Sequence, residues 1–239
     1  MSGHSKWKNI MHKKEKTDAQ RAKIFTKIGR EISLAVREGG PDPVSNAALK
    51  DLIAKAKSNN VPNDNIERVI KKAAGGNDGA NYEVLTYEGY GPCGVAVYLR
   101  CVTDNRNRTA GDLRHYFDKC GGNLGQTGSV NWMFEKKGVI LIDGTDEDED
   151  QLIEDMVMAD ALDVISDEGI FTVYTEAEYM SQINDMVQEE GYTVLSAEVA
   201  YVPNNYTTLS DEDGEKMQKL LDMLDDNDDV TDVWHSWDN

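Results

Sequence analysis

Basic side chains recur along one predicted helix near the N-terminus, and their spacing brings them together. At about 100° per residue, one side of this helix carries Lys23, Lys27, Arg30 and Arg37. The opposite side carries the apolar residues Phe25, Ile28, Ile32, Ala35 and Val36. The pattern predicts an amphipathic helix whose cationic side faces solvent, and such a surface can bind the phosphates of a polyanion.

The segment before this helix adds further cations and a tryptophan. Together with the helix, it supplies the candidate nucleic-acid-binding residues His4, Lys6, Trp7, Lys8, Lys13, Lys14, Lys16, Arg21, Lys23, Lys27 and Arg30. Lysines can follow a phosphate backbone while an aromatic ring stacks on a base or a ribose. Because the segment has too few apolar residues for a core, we expect it to be mobile alone and ordered by a partner.

The distribution of charge favours this interpretation over a simple role in solubility. The net charge of −19 argues by itself against a nucleic-acid ligand. However, residues 1–74 contain 16 basic and 8 acidic side chains, whereas residues 75–239 contain 9 basic and 36 acidic ones. We therefore expect a polyanion to meet the N-terminal end of the chain first.

A second candidate anion site follows a predicted strand and consists of Asn105, Arg106, Asn107 and Arg108. Backbone amides at a helix start, with arginines beside them, can hold a phosphate or a carboxylate. Asn and Asp also form turns, and Thr109 can cap a helix without any ligand. The residue types leave both interpretations open.

Motifs of the common enzyme classes are missing from the sequence. His115 and Asp112 share a predicted helix, but no nucleophile accompanies them. The acidic runs Asp146–Asp150 and Asp225–Asp229 lack calcium-loop spacing and are typical of solvated helix ends. The glycine-rich run Gly121–Ser129 could cradle a phosphate, although such runs more often form tight loops. We therefore expect no enzymatic activity, no cofactor, no metal and no small-molecule substrate.

The cysteines and the hydropathy pattern bear on where the protein resides. Cys93, Cys101 and Cys120 are odd in number and lack CxxC spacing, which argues against a disulfide framework or a zinc site. The sequence has no run of about 18 apolar residues and no apolar stretch typical of a secretory signal. We expect a cytoplasmic monomer with reduced thiols and no membrane partner.

Three helices are predicted in the first third of the chain, at about residues 17–38, 45–57 and 64–74. Asn63 precedes the third helix as a candidate cap, and Gly75 and Gly76 end it. Because each helix has a single apolar face, the three are expected to share one core.

The remainder of the chain alternates between predicted strands and helices. A hairpin over 82–90 and 95–103 precedes a helix at about 109–119. Residues 139–202 then follow the order β-α-β-β-α-β, which is typical of a ferredoxin-like domain.

The last predicted helix, 210–224, and the last strand, 230–234, have no partners of their own. We expect them to return to the domain that begins with the hairpin. The predicted fold class is therefore multidomain α and α+β. It comprises a three-helix bundle with its basic tail over 1–76, an α+β domain over 80–136 plus 204–239, and a ferredoxin-like domain over 137–203 inserted in it.

Eight stretches of the sequence resemble the YebC/PmpR family, which has a mitochondrial relative known as a translational activator of cytochrome c oxidase. They are GHSKW (3–7), KIFTKIGREI (23–32), REGGPDP (37–43), NNVPNDNIERVIKKA (59–73), YEGYGP (87–92), TDNRNRT (103–109), KCGGNLGQTGSV (119–130) and MFEKKGVI (133–140). The resemblance covers essentially the whole chain and weakens after about Ile142. Two positions depart from the family pattern: Cys93 stands where a glycine is usual, and Gly29 stands where Ile or Leu is common.

The resemblance implies a helical bundle followed by two α+β domains, one inserted in the other. It implies a cytoplasmic transcriptional regulator that binds DNA, with Gly3–Trp7, Lys8–Arg30 and Asn105–Arg108 as matching motifs. Other members act in translation, at ribosomes stalled on proline-rich sequences. The residues themselves lean slightly toward RNA, because no helix-turn-helix pattern is evident and a mobile tail suits irregular RNA. DNA-binding regulation is our leading hypothesis, and ribosomal RNA binding is the alternative.

Overall fold

The computed structural model describes residues 18–76, 81–145, 147–167 and 169–238. Its first part is a bundle of three helices, α1 (Asp18–Gly39), α2 (Ala47–Ser58) and α3 (Asn63–Ala74). The apolar side predicted for α1 packs against α2 and α3, where Leu49 and Ile66 are buried beside it. No helix in the described ranges is both long and apolar enough to cross a membrane.

Of two asparagines near helix starts, Asn46 caps its helix and Asn63 does not. Asn46 caps α2 by accepting from the Leu49 N–H at 3.1 Å, and its amide also donates to the Ala35 carbonyl of α1 at 2.8 Å. The prediction that Asn63 caps α3 is wrong, because Pro62 holds the cap position and Asn63 is the first helical residue. Proline suits a helix start, since its fixed φ fits and its missing N–H is not needed there.

The elements after the bundle are, in chain order, β1 (Glu83–Tyr90), β2 (Ala96–Thr103), α4 (Arg106–Lys119), β3 (Asn123–Leu124), β4 (Phe134–Asp143), α5 (Glu149–Met158), β5 (Asp163–Asp167), β6 (Ile170–Glu176), α6 (Met180–Glu189), β7 (Thr193–Pro203), β8 (Thr207–Thr208), α7 (Asp211–Asp226), β9 (Val230–His235) and β10 (Trp237–Asp238). They form two antiparallel sheets, ordered β3-β1-β2-β9 and β5-β6-β4-β7. A short parallel pair joins β8 to β10.

The second sheet confirms the ferredoxin-like prediction. Its strands β4, β5, β6 and β7 alternate with α5 and α6 in the expected order, and β4 lies between β6 and β7. The two helices cover one face, where Ile140, Leu152 and Ile183 are buried. The other face packs around Leu141 and includes Trp234 of β9, so the inserted domain contacts its host directly.

The first sheet is completed by the end of the chain. Strand β9 pairs with β2, with Val233 opposite Leu99, and α7 packs Met217 and Leu220 into the same core as Phe117 of α4. The last helix and strand therefore belong to the sheet that the hairpin begins. This confirms the predicted fold class, in which one α+β domain interrupts the other.

Several predicted boundaries need correction. Helix α4 begins at Arg106 rather than near residue 109, because the Asn105 side chain accepts from the Arg108 N–H at 3.1 Å and caps it. Strands β3, β8 and β10 were not predicted. Each has two residues, which is too short for an alternating hydrophobic pattern to be visible.

The hairpin turn contains Cys93, the residue that stands where a glycine is usual in the family pattern. Cys93 adopts φ of 54°, in the left-handed region where a glycine is strain-free. Its exposed Sγ donates to Asp213 Oδ2 at 3.2 Å. The turn thus keeps its shape with cysteine, and the usual glycine has a conformational reason.

Candidate nucleic-acid interface

The basic side of α1 lies against an acidic segment from the other end of the chain. The ion pairs are Lys23 with Asp226, Lys27 with Asp225, and Arg30 with Asp229. The expectation that this side faces solvent is therefore wrong for Lys23, Lys27 and Arg30, whereas Arg37 is exposed. Asp225 and Asp226 keep exposed side chains at the end of α7, as expected of a solvated helix end, whereas Asp229 is buried. The physical reason is that opposite charges far apart in sequence are brought together when the bundle packs on the second domain.

Lys27 illustrates the change of role. Its residue is 8% exposed, and its Nζ donates to the Asp225 carbonyl at 2.5 Å. Burial lowers the pKa of Lys27 below its usual value, although the nearby Asp225 carboxylate acts in the opposite direction. A side chain held in this way serves the contact within the protein and is closed to an external phosphate.

Asp229 is the centre of this contact. Its carboxylate is almost fully buried and accepts hydrogen bonds from Arg30 at 2.5 Å, Arg108 at 2.9 Å, and the hydroxyls of Thr109 at 2.8 Å and Thr103 at 3.2 Å. Burial alone would raise the pKa of Asp229, but the hydrogen bonds from Arg108, Thr109 and Arg30 outweigh it and hold the pKa below its usual value. One carboxylate thus joins α1, α4 and β2.

A second charged cluster joins the bundle to the same sheet. Its members are Glu31 of α1, Lys55 of α2, Arg100 of β2 and Asp232 of β9. Lys55 Nζ lies 3.1 Å from Glu31 Oε2, and Arg100 Nη1 lies 3.2 Å from Asp232 Oδ2 and also pairs with Glu31. Burial would lower the pKa of Lys55, but the Asp232 and Glu31 carboxylates outweigh it and raise that pKa. The lysine is thus stabilised in its charged form.

The second candidate anion site, Asn105–Arg108, forms a helix cap and internal ion pairs, which is the interpretation that needs no ligand. Asn105 caps α4, Arg106 Nη2 lies 2.8 Å from Glu83 Oε2, and Arg108 pairs with Asp104 at 2.9 Å as well as with Asp229. Asn107 is exposed within the first turn. Both arginines therefore have carboxylate partners, and Thr109 lies inside the helix rather than at its cap.

Other cations of the bundle remain at the surface. The exposed ones on α2 and α3 are Lys50, Lys57, Arg68, Lys71 and Lys72. Lys71 lies 3.9 Å from Glu67, and Arg68 donates to the Asn65 side chain at 3.2 Å. Within the described ranges, no carboxylate pairs with Lys50, Lys57 or Lys72. We call these five residues the outer basic surface.

Sequence reasoning missed the outer basic surface, although α3 carries a signal for it. Arg68, Lys71 and Lys72 are spaced three and four residues apart, on the side opposite the apolar residues Ile66 and Ala73. Arg21 is exposed near the start of α1. The candidates His4, Lys6, Trp7, Lys8, Lys13, Lys14 and Lys16 lie outside the described residues.

The described residues do not bring three or more His, Cys, Asp or Glu side chains together in a way that could hold a metal ion. The fold defines a multidomain protein of the α and α+β class. A cationic helical bundle is fastened by ion pairs to an α+β domain, which a second α+β domain interrupts.

Comparison with known sequences identifies the family. Residues 5–76 match the TACO1/YebC protein N-terminal domain, and residues 82–237 match the TACO1/YebC second and third domain. The chain belongs to the TACO1/YebC family, which confirms the resemblance inferred from the sequence motifs.

Curated relatives match over their full length. A protein of Finegoldia magna is 54% identical over 100% of both chains, and one of Ruminiclostridium cellulolyticum is 55% identical over 100% of this chain and 97% of its own. Both are named "Probable transcriptional regulatory protein". The crystal structure of a conserved hypothetical protein from Aquifex aeolicus, 40% identical, superposes with a TM-score of 0.82 over 93% of this chain and 92% of that one.

Proposed function

We propose that this protein is a cytoplasmic regulator that binds nucleic acid, without catalysis or a cofactor, and that promoter DNA is its ligand. The observation that carries the proposal is the outer basic surface, where cations of α2 and α3 are exposed, whereas Lys23, Lys27 and Arg30 of α1 are held in ion pairs within the protein. Exposed lysines and arginines bind phosphates by releasing counterions. The names of the relatives agree with a regulator of transcription.

Ribosomal RNA is the second candidate ligand. It is favoured because the basic side of α1, the longest helix of the bundle, is covered by the acidic segment and cannot lie along a duplex. The remaining cations lie on two 12-residue helices and in the N-terminal segment. Such a distribution fits irregular RNA better than a regular duplex.

The test compares two double variants of the full chain. Lys71→Gln with Lys72→Gln removes two charges from the outer basic surface, whereas Lys216→Gln with Lys219→Gln removes two exposed charges from the acidic helix α7. Binding to a promoter duplex, to a scrambled duplex and to ribosomes is measured at several salt concentrations. The first variant should bind about tenfold more weakly, with a salt slope smaller by about 2, and the second should bind like wild type.

The outcomes separate the two ligands. Preference for the promoter over the scrambled duplex supports DNA-binding regulation. Equal affinity for both duplexes, together with co-sedimentation with ribosomes, supports the alternative. Identical behaviour of the two double variants would contradict the assignment of the outer basic surface.

A further inference from the structure

The glycine-rich run between β3 and β4 leads into Trp132, which is 69% exposed. A solitary apolar side chain at a protein surface is ordinary. Trp132 differs because the backbone that carries it is fastened at many points. Trp132 is thus a large exposed ring on a rigid support.

The rigid support begins with Glu88 of β1. This carboxylate is 3% exposed and accepts from the backbone N–H groups of Gly128 at 2.8 Å, Val130 at 2.8 Å and Asn131 at 2.9 Å. A buried carboxylate is costly unless donors surround it, and three charge-assisted hydrogen bonds meet that need. They hold the backbone immediately before Trp132 in one conformation.

The indole ring is oriented by the same loop. Its Nε1–H donates to the Ser129 carbonyl at 3.1 Å, and the Tyr90 hydroxyl donates to that carbonyl at 3.0 Å. Val130 and Phe134, on either side of Trp132, are buried at 0% and 7% exposure. The polar atom of the ring is therefore satisfied internally, and what the ring offers a partner is its flat apolar face.

The charge around this part of the chain is compatible with a polyanion. Residues 75–137 contain seven basic and seven acidic side chains, whereas residues 138–239 contain two basic and 29 acidic ones. Trp132 lies in the neutral portion, and the exposed Lys136 follows it. Repulsion of phosphates thus originates mainly from the residues after 137.

We propose that Trp132 is a stacking site for an unpaired nucleobase of single-stranded RNA or DNA. An aromatic face that is already oriented loses little rotamer freedom on binding, so stacking contributes most of its energy to affinity. The exposed amide side chains of Gln126 and Asn131 on the same loop can hydrogen-bond to base edges. This inference rests on the proposed function and adds to it a second contact, made with bases rather than phosphates.

The test uses full-length protein and labelled single strands, oligo(U) and oligo(dT) of about 12 nucleotides, with a duplex for comparison. Trp132→Ala should weaken binding of both single strands about tenfold, and Trp132→Phe should restore most of the affinity. Tyr179→Ala is the matched control, because Tyr179 is a 55% exposed aromatic residue in the acidic domain, and it should bind like wild type. The salt slope should not change in Trp132→Ala, since no phosphate contact is removed.

The outcomes distinguish this inference from the proposed function. If Trp132→Ala binds single strands as tightly as wild type while the Lys71 and Lys72 double variant is weakened, stacking is overturned and the outer basic surface stands. If only Trp132→Ala binds nucleic acid more weakly, stacking at Trp132 is supported and the assignment of the outer basic surface is wrong. Failure of wild type to bind any strand overturns both, and equal weakening by Tyr179→Ala also overturns the assignment to Trp132.

Discussion

Arg30 donates to the Asp229 carboxylate at 2.5 Å across 199 residues of sequence. The pair fastens the first helix of the chain to the turn that precedes its last long strand. Burying two charges is costly, and the cost is offset here because Arg108 and two threonine hydroxyls complete the hydrogen bonding of the carboxylate. The contact between the bundle and the second domain is therefore polar and geometrically specific.

Removing the Asp229 carboxylate should destabilise the protein strongly. Asp229→Ala leaves Arg30 and Arg108 without their shared partner, and we expect the free energy of unfolding to fall by about 3–5 kcal/mol. Urea denaturation followed by circular dichroism measures the loss. Asp226→Ala, at a residue whose side chain is 74% exposed, is the control and should cost less than about 1 kcal/mol. Equal losses in the two variants would contradict the central role of Asp229.

The same carboxylate predicts a response to acid. Because the pKa of Asp229 is lowered in the folded protein, its contribution to stability is present above the unfolded pKa of about 4 and is lost as the pH falls through the folded value. Asp229→Asn should be less stable at neutral pH and should lose less stability between about pH 4 and pH 2. Urea denaturation at several pH values tests this, and parallel pH profiles for the two proteins would refute it.

The burial of His235 should make the stability of the protein depend on pH in a second, higher range. Burial lowers its pKa to about 4, and its Nδ1 accepts from the Trp237 N–H at 3.3 Å. The unfolded chain takes up a proton near pH 6.5, while the folded protein resists until about pH 4. Stability should therefore decline as the pH falls from about 6.5 to 4, by up to about 3 kcal/mol. His235→Gln should flatten this part of the profile, and an unchanged slope would show that another group titrates there.

Gly29 offers a stabilising substitution. A Cβ at this position in α1 would lie 3.8 Å from Val69 Cγ2, an ordinary van der Waals contact. Gly29→Ala should raise the free energy of unfolding by up to about 1 kcal/mol, because alanine loses less backbone entropy in a helix. Thermal denaturation measures the gain. Gly89→Ala is the contrasting variant, since its Cβ would lie 2.7 Å from the Asn123 carbonyl oxygen, and it should lower the melting temperature.

The loop that carries Trp132 should depend on Glu88 for its rigidity. In Glu88→Gln an NH₂ group replaces one acceptor oxygen, so at least one of the three backbone amides loses its partner. We expect faster hydrogen exchange at Gly128, Val130 and Asn131 and a loss of about 1–3 kcal/mol in stability. Exchange followed by NMR resolves these amides. Glu135→Gln, at an exposed position nearby, should leave their exchange rates unchanged.

Local patterns predicted most of the fold. The three-and-four spacing of Leu49, Leu52 and Ala56 indicated α2, and the order of short strands and helices after Gly138 indicated the ferredoxin-like domain. The return of β9 to β2 followed from a simpler argument, that an unpartnered strand must find a sheet. These inferences succeed because helix and strand periodicity are properties of neighbouring residues. The caps were less reliable, since Pro62 rather than Asn63 holds the cap position of α3 and Asn105 rather than Thr109 caps α4.

The sequence by itself determined the helices, the ferredoxin-like order and the concentration of positive charge in the first third of the chain. Only the tertiary structure decided which cations face solvent. Lys23, Lys27 and Arg30 form the cationic side of one helix, as Arg68, Lys71 and Lys72 do of another, yet the first three pair with aspartates and the last three stay exposed. The physical reason is that an ion pair depends on distance in space, and the partners here are about 200 residues apart along the chain.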